Sequence, residues 1–195
     1  MRVIDVGANV GYYSLLMAQA IGPQGKLVAF EANPVLAKLV QANLAINGFA
    51  LGSGISQVIS KAASNFTGST KFTVFESYMG GSTVFENDPQ PGDTAKRIDV
   101  ACVTLDEQLK DFGPVDFIKI DAEGSEKFIL EGARRIIKSS PNLKMIIEFQ
   151  PEKPLYDLVS EHGFKVCPIL PDSSAQEMSF SELQNFGTGD ALLTR

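Results

Sequence analysis

Asp5, Glu31, Asp121 and Glu148 each stand at or near the carboxyl end of a short apolar run. In open α/β sheets, ligands bind outside those ends, close to the switch in strand order. This rule selects residues 5–11, 31–33, 60–62, 121–126 and 148–150, and four of the five segments carry an acid. Carboxylates are poor partners for phosphate and good ones for hydroxyls and cations. In the first segment, Asp5-Val6-Gly7-Ala8-Asn9-Val10-Gly11, two glycines let the backbone turn sharply and approach a ligand. It is not G-x-G-x-x-G, because Asn9 holds the middle position and a dinucleotide pyrophosphate would meet its side chain. Glu31 follows Gly11 by twenty residues and can accept both ribose hydroxyls of an adenosine. Together they point to a nucleoside cofactor without a pyrophosphate. Asn9 and the lack of a Tyr-x-x-x-Lys pair count against the competing NAD-dependent oxidoreductase reading.

The elements that would position these groups alternate. Strands are expected at residues 3–6, 27–30, 55–60, 115–120 and 144–149, with helices at 12–21, 34–47, 125–138 and 154–162. Residues 164–169 and 191–194 would form a final antiparallel pair. The pattern describes an α/β, Rossmann-like fold: a seven-stranded, mostly parallel sheet with helices on both faces and an antiparallel last strand. Residues 71–75 and 97–102 read as an antiparallel excursion. Between them, residues 76–96 are rich in Gly, Pro, Ser, Asn and Asp, and a connection of this length is usually functional or mobile. Asn33 with Pro34 opens one helix, and Thr104-Leu105-Asp106-Glu107 reads as a capping box opening another.

Val3 to Ser14, with Gly7-Ala8-Asn9-Val10-Gly11 at its centre, resembles motif I of class I S-adenosylmethionine-dependent methyltransferases, specifically their FkbM-like branch. Val103-Thr104-Leu105-Asp106-Glu107 is a second match. Asp116-Phe117-Ile118-Lys119-Ile120-Asp121-Ala122-Glu123-Gly124-Ser125-Glu126 is the third and most specific. The resemblance implies a class I methyltransferase fold that binds S-adenosylmethionine and releases S-adenosylhomocysteine (SAH). It implies that Asp5, Gly7, Asn9 and Gly11 line the methionine moiety, and that Glu31 holds the ribose. Lys61 and Ala62, with Ser60, would flank the adenine, and Asp121 would sit beside the sulfonium and its methyl. The acceptor it implies is a hydroxyl on a sugar or natural-product small molecule. A non-catalytic cofactor-binding module is the other alternative; the acids at four strand ends speak against it.

An alcohol becomes a useful nucleophile once its proton has somewhere to go, so a carboxylate base is expected. Asp121 or Glu123 is the first choice, with Glu148 third; paired carboxylates can push one pKa up to a useful value. Glu126 reads instead as a first-turn acid favoured by the helix dipole. His162 reads as a favourable charge closing a helix. Of Tyr12 and Tyr13, one is expected to face the cofactor and the other to pack. Asp121, Glu123 and Glu148 could ligate a divalent metal. However, the Asp-Asn pair of catechol-type enzymes is replaced by Glu148-Phe149-Gln150, and no metal is expected. Residues 77–83, with Gly80 and Gly81 as hinges and Tyr78 and Met79 as cover, read as an acceptor-side lid or an ordinary surface loop.

The chain has 195 residues and a formal net charge of −6, from 17 Lys and Arg against 23 Asp and Glu. One domain over residues 1–195 is expected. The acidic balance argues against nucleic acid as the main partner. Two cysteines, Cys102 and Cys167, make no disulfide framework or zinc pair. Asp5 interrupts any leader-like apolar run, and no stretch reaches the ~18 apolar residues of a membrane span, so a cytoplasmic protein is expected. The chain opens directly on its first strand, and the helices that usually precede the glycine turn in this family are expected to be absent. Acceptor recognition would then fall to residues 76–96 and the turn before the last strand. Calorimetric titration separates the two cofactor readings. SAH is expected to bind and NAD is not; tight NAD binding without SAH binding would overturn the methyltransferase reading.

Overall fold

The computed structural model describes residues 1–49, 56–75 and 95–195. Five strands run parallel: β1 (Arg2–Val6), β2 (Lys26–Phe30), β3 (Ser56–Ile59), β7 (Phe117–Ile120) and β8 (Lys144–Phe149). With β9 (Lys165–Pro168) and β10 (Gly189–Thr194) they make a seven-stranded sheet in the order β3-β2-β1-β7-β8-β10-β9. β10 inserts between β8 and β9 and is antiparallel to both. The excursion is a second sheet, β4 (Ala62–Ala63), β6 (Ala95–Val103) and β5 (Gly68–Phe75), in the order β4-β6-β5.

Strand order reverses at β1, which has β2 on one side and β7 on the other. The carboxyl ends of β1, β2 and β7 therefore flank one crevice. On one face, α1 (Tyr12–Ile21) and α2 (Pro34–Ile46) cover β1 and β2, burying Val3, Met17, Leu27, Val40 and Leu44. The other face is covered by α4 (Glu126–Glu131), α5 (Arg134–Ser139) and α6 (Lys153–Glu161). α7 (Phe180–Phe186) packs there too, and the cluster includes Ile118, Ile129, Ile136, Leu158 and Leu183. α3 (Leu105–Gln108) buries Leu105 in the same cluster.

Three sequence expectations change. The helix expected over 125–138 is two helices, broken at Gly132 and Ala133. There the Gly132 carbonyl accepts the Asp106 N–H at 3.0 Å instead of continuing the helix, and Ser64 passes so close that a Cβ on Gly132 would lie 2.0 Å from its carbonyl oxygen. The capping box at Thr104 is half made. Its hydroxyl accepts the Glu107 N–H at 3.1 Å, while the Glu107 carboxylate goes to the Thr67 hydroxyl. The neighbouring Asp106 caps α5 by accepting the N–H groups of Arg135 and Ile136 at 2.7 and 2.9 Å. α7 was not foreseen, though Ser179 and Glu182 form a complete capping box at its start. The expected lid, residues 77–83, and most of the 76–96 connection lie outside the described residues, as does Ile55.

Gly132→Ala is expected to cost about 3 kcal/mol, the upper end of an overpacking penalty. Gly163→Ala, where φ is +78 but nothing lies within 4 Å, should cost only about 1 kcal/mol. Denaturant unfolding of both variants measures the difference; equal costs would mean that the Ser64 carbonyl gives way to a Cβ at no cost.

Candidate active site

The turn after β1 is held from three sides. The N–H groups of Gly7 and Ala8 both donate to the Phe30 carbonyl at 3.0 Å, which ties the turn to the end of β2. Gly7 has φ +77, and a Cβ there would lie 1.8 Å from the Asp121 carbonyl oxygen. Only a residue without a side chain lets the ends of β1 and β7 come this close. Asn9 itself is left-handed, with φ 52. Its N–H donates to Glu31 Oε2 at 2.7 Å, and the N–H of Asn33 donates to Oε1 at 2.8 Å. Glu31 thus joins the first turn to the start of α2, where the Asn33 side chain accepts the Val35 N–H at 2.9 Å. Burial raises the pKa of Glu31, and those N–H groups oppose the rise.

Above this turn lies a cavity of about 270 Å³. Gly7, Asn9, Glu31, Lys61, Ala62, Asp121 and Glu123, all expected at the site, stand in its wall. Three other expected residues do not. Asp5 is fully buried beneath the turn: its Oδ2 accepts the Ser14 hydroxyl at 2.5 Å, and Oδ1 has no partner among the described groups. Gly11 caps α1 and lies against Val40, where a Cβ would come within 3.3 Å of Val40 Cγ1. Glu148 stands beside the wall, in register with Asp190 on β10. Its buried Oε2 has no partner among the described groups, and burial, Asp121 and Asp190 all push its pKa up.

The segment after β7 is the most acidic part of the wall. Asp121 donates its N–H to the Val6 carbonyl at 3.1 Å, which continues the β1–β7 pairing by one residue. Glu123, at φ 51, and Gly124, at φ 93, then turn the chain through the left-handed region. Burial raises the pKa of Glu123, and the charges of Glu148 and Asp121 add to it. Glu126 stands in the first turn of α4 as expected, but it is buried rather than favoured there as a charge. It is 2% exposed, accepts the Ala122 N–H at 2.8 Å, and burial pushes its pKa up to about 7. Among the described residues, no group of three or more His, Cys, Asp or Glu is placed to share a metal ion.

Tyr12 and Tyr13 do not divide as expected: both are exposed, 63% and 45%, and both stand in the wall, edge to face at 5.2 Å. His162 does not carry a favoured charge. Its buried Nε2 has no partner among the described groups, and burial and then Arg134 push its pKa down.

Lys119, Ser125 and Phe72 also stand in the wall; sequence reasoning missed Lys119 and Phe72, and it selected the 121–126 segment without giving Ser125 a role. Lys119 is 5% exposed, places Nζ 3.0 Å from Asp121 Oδ2, and lies 4.5 Å from the Tyr13 ring centre. A lysine two residues before Asp121 inside an apolar strand was a readable signal, because alternate residues share a face. For Ser125 the signal was its place in the segment after β7; its buried hydroxyl has no partner among the described groups. Phe72 comes from the second sheet, and no local pattern brings it here.

A family model described as the methyltransferase FkbM domain matches residues 5–166. This chain belongs to that family. The curated relative methyltransferase sdnD of Sordaria araneosa is 29% identical, over 67% of this chain and 59% of its own length. The chain thus spans about three-fifths of that relative. A solved FkbM methyltransferase from Methylobacillus flagellatus is 16% identical with a TM-score of 0.63, covering 100% of this chain and 43% of that one. An O-methyltransferase from Bacillus cereus in complex with SAH is 15% identical with a TM-score of 0.54, covering 98% of this chain and 72% of that one. These two likenesses concern the fold. FkbM membership sets aside the nicotinamide reading. No helix among the described residues is long and apolar enough to cross a membrane.

Glu126 makes the stability of this FkbM domain pH-dependent. Below pH 4.5 it is protonated in both states, and the folded chain is at no disadvantage. Between 4.5 and about 7 the unfolded chain ionises first, so stability is lost as pH rises. Relative to Glu126→Gln, the wild type is expected to lose up to about 3 kcal/mol between pH 5 and 8. Denaturant melts across that range measure it; a constant difference would place the titration elsewhere.

Proposed function

We propose that this FkbM domain transfers a methyl group from S-adenosylmethionine to a hydroxyl of a small molecule, a sugar or natural product. The observation that carries the reading is Glu31, fixed at the end of β2 by two backbone N–H groups and facing the cavity. A carboxylate has about four lone-pair positions, so two remain for the two hydroxyls of a ribose.

The rest of the cavity fits the same cofactor. Ala62, Ala63, Phe72 and Ile129 offer apolar surface for a base, and the orphaned Ser125 hydroxyl beside them can meet a polar ring edge. Asp121 and Glu123 supply negative charge where a sulfonium and an ammonium would lie. Gly7 and Asn9 form the floor beneath the amino-acid end. Asp5 supports that end from below through Ser14, and Gly11 through the start of α1. When bound, S-adenosylmethionine supplies a methyl group on a leaving group that needs no proton.

The chain's own residues then have three tasks. Glu31 and the first turn hold the nucleoside, and most of the rate comes from such positioning. Lys119 holds the Asp121 carboxylate by an ion pair and shields one side with the Tyr13 ring. Asp121 or Glu123 accepts the acceptor hydroxyl's hydrogen bond and takes its proton as the oxygen attacks. The raised pKa of Glu123 suits it to that proton, and Glu148 behind them is placed to share it.

Glu31→Ala is expected to weaken SAH binding roughly 30-fold, about 2 kcal/mol, by calorimetric titration. An unchanged dissociation constant would remove Glu31 from the ribose. Asp121→Ala is expected to slow transfer of radiolabelled methyl to a sugar or natural-product alcohol by roughly 100-fold or more. An unchanged rate would move the chemistry away from the end of β7.

A further inference from the structure

Glu126 lies outside the cavity wall yet is among the most deeply buried acids of the chain. It has no ion-pair partner among the described residues, and a buried carboxylate without a cation is costly to keep. Its definite contact is the Ala122 N–H at 2.8 Å. Ala122 lies between Asp121 and Glu123, and all three stand in the cavity wall.

That segment needs holding. On one side, the Asp121 carbonyl is pressed against Gly7. On the other, Glu123 takes a left-handed conformation that a residue with a Cβ resists. The Ser125 N–H returns to the Ala122 carbonyl at 3.2 Å, so the turn closes on itself behind the wall. The Glu126 side chain bonds directly to the backbone of this turn, at the Ala122 N–H.

We infer that Glu126 is a positioning residue, which fixes the Asp121–Glu123 turn from behind through the Ala122 N–H and so sets the ligand-facing wall. The inference rests on the cofactor reading given above. What the turn needs from residue 126 is an acceptor oxygen of the right reach, not a charge. A protonated acid or an amide supplies that oxygen equally.

Glu126→Gln and Glu126→Met test this, with SAH as the probe in calorimetric titration and a thermal melt of each variant. Both substitutions remove a buried charge at nearly constant volume, so both should fold at pH 8. Glu126→Gln is expected to bind SAH within about 3-fold of the wild type. Glu126→Met, which has no acceptor for the Ala122 N–H, is expected to bind about 10-fold more weakly with a melt as cooperative as that of Glu126→Gln. Equal affinities for the Met and Gln variants, whether both high or both low, would overturn the inference. Failure of the wild type itself to bind SAH would instead overturn the cofactor reading on which it stands.

Discussion

The Asp121 carbonyl oxygen lies where a side chain at residue 7 would begin. The ends of β1 and β7 meet only because Gly7 has none, and the site follows from that contact. It places the turn after β7 directly against the turn after β1. Glu31 then completes the frame from the β2 side by holding Asn9 and Asn33 together. Three strands, three turns and one carboxylate thus enclose the crevice at the reversal of strand order. Hydrogen bonds to backbone hold each turn, so the chain's own groups set the shape of the wall.

The second constraint is electrostatic. A parallel sheet ends its strands on one edge, and this chain puts acids at most of those ends. Register then makes neighbours of them: Asp5 lies beside Lys119, and Glu148 beside Asp190. Burial and mutual repulsion raise the pKa values of Glu123, Glu126 and Glu148, so the edge favours protons or cations. Lys119 opposes this from inside, paired with Asp121 and capped by the Tyr13 ring. Such a mixture suits a cationic group and a hydroxyl that must lose a proton.

Much of this was legible in the residues. Alternating apolar runs announced the sheet, and its antiparallel end was read from the last two of them. The acids at the ends of β1, β2, β7 and β8 were visible because strand ends are fixed by composition. What sequence could not convey was depth. Asp5 and Glu126 look like any strand-end or first-turn acid, but packing from other elements buries both. Gly132 lies inside what reads as one long helix, and only the bonds from Asp106, a residue of another element, make it a break. Phe72 reaches the cavity from a separate sheet, a placement that no local periodicity encodes.

The second sheet also has a consequence for how much change the fold tolerates. β5 and β6 pair along their whole length, from Gly68 opposite Cys102 to Phe75 opposite Ala95. Phe75 and Ala95 therefore stand side by side at the open end of the pair, three residues beyond Phe72 in the cavity wall. Where two chain ends are clamped in this way, doubling the length of what joins them adds only about 0.6 kcal/mol of closure entropy. The open end of β5 and β6 is thus a socket, at which a change in chain length costs little while the paired strands beneath stay the same.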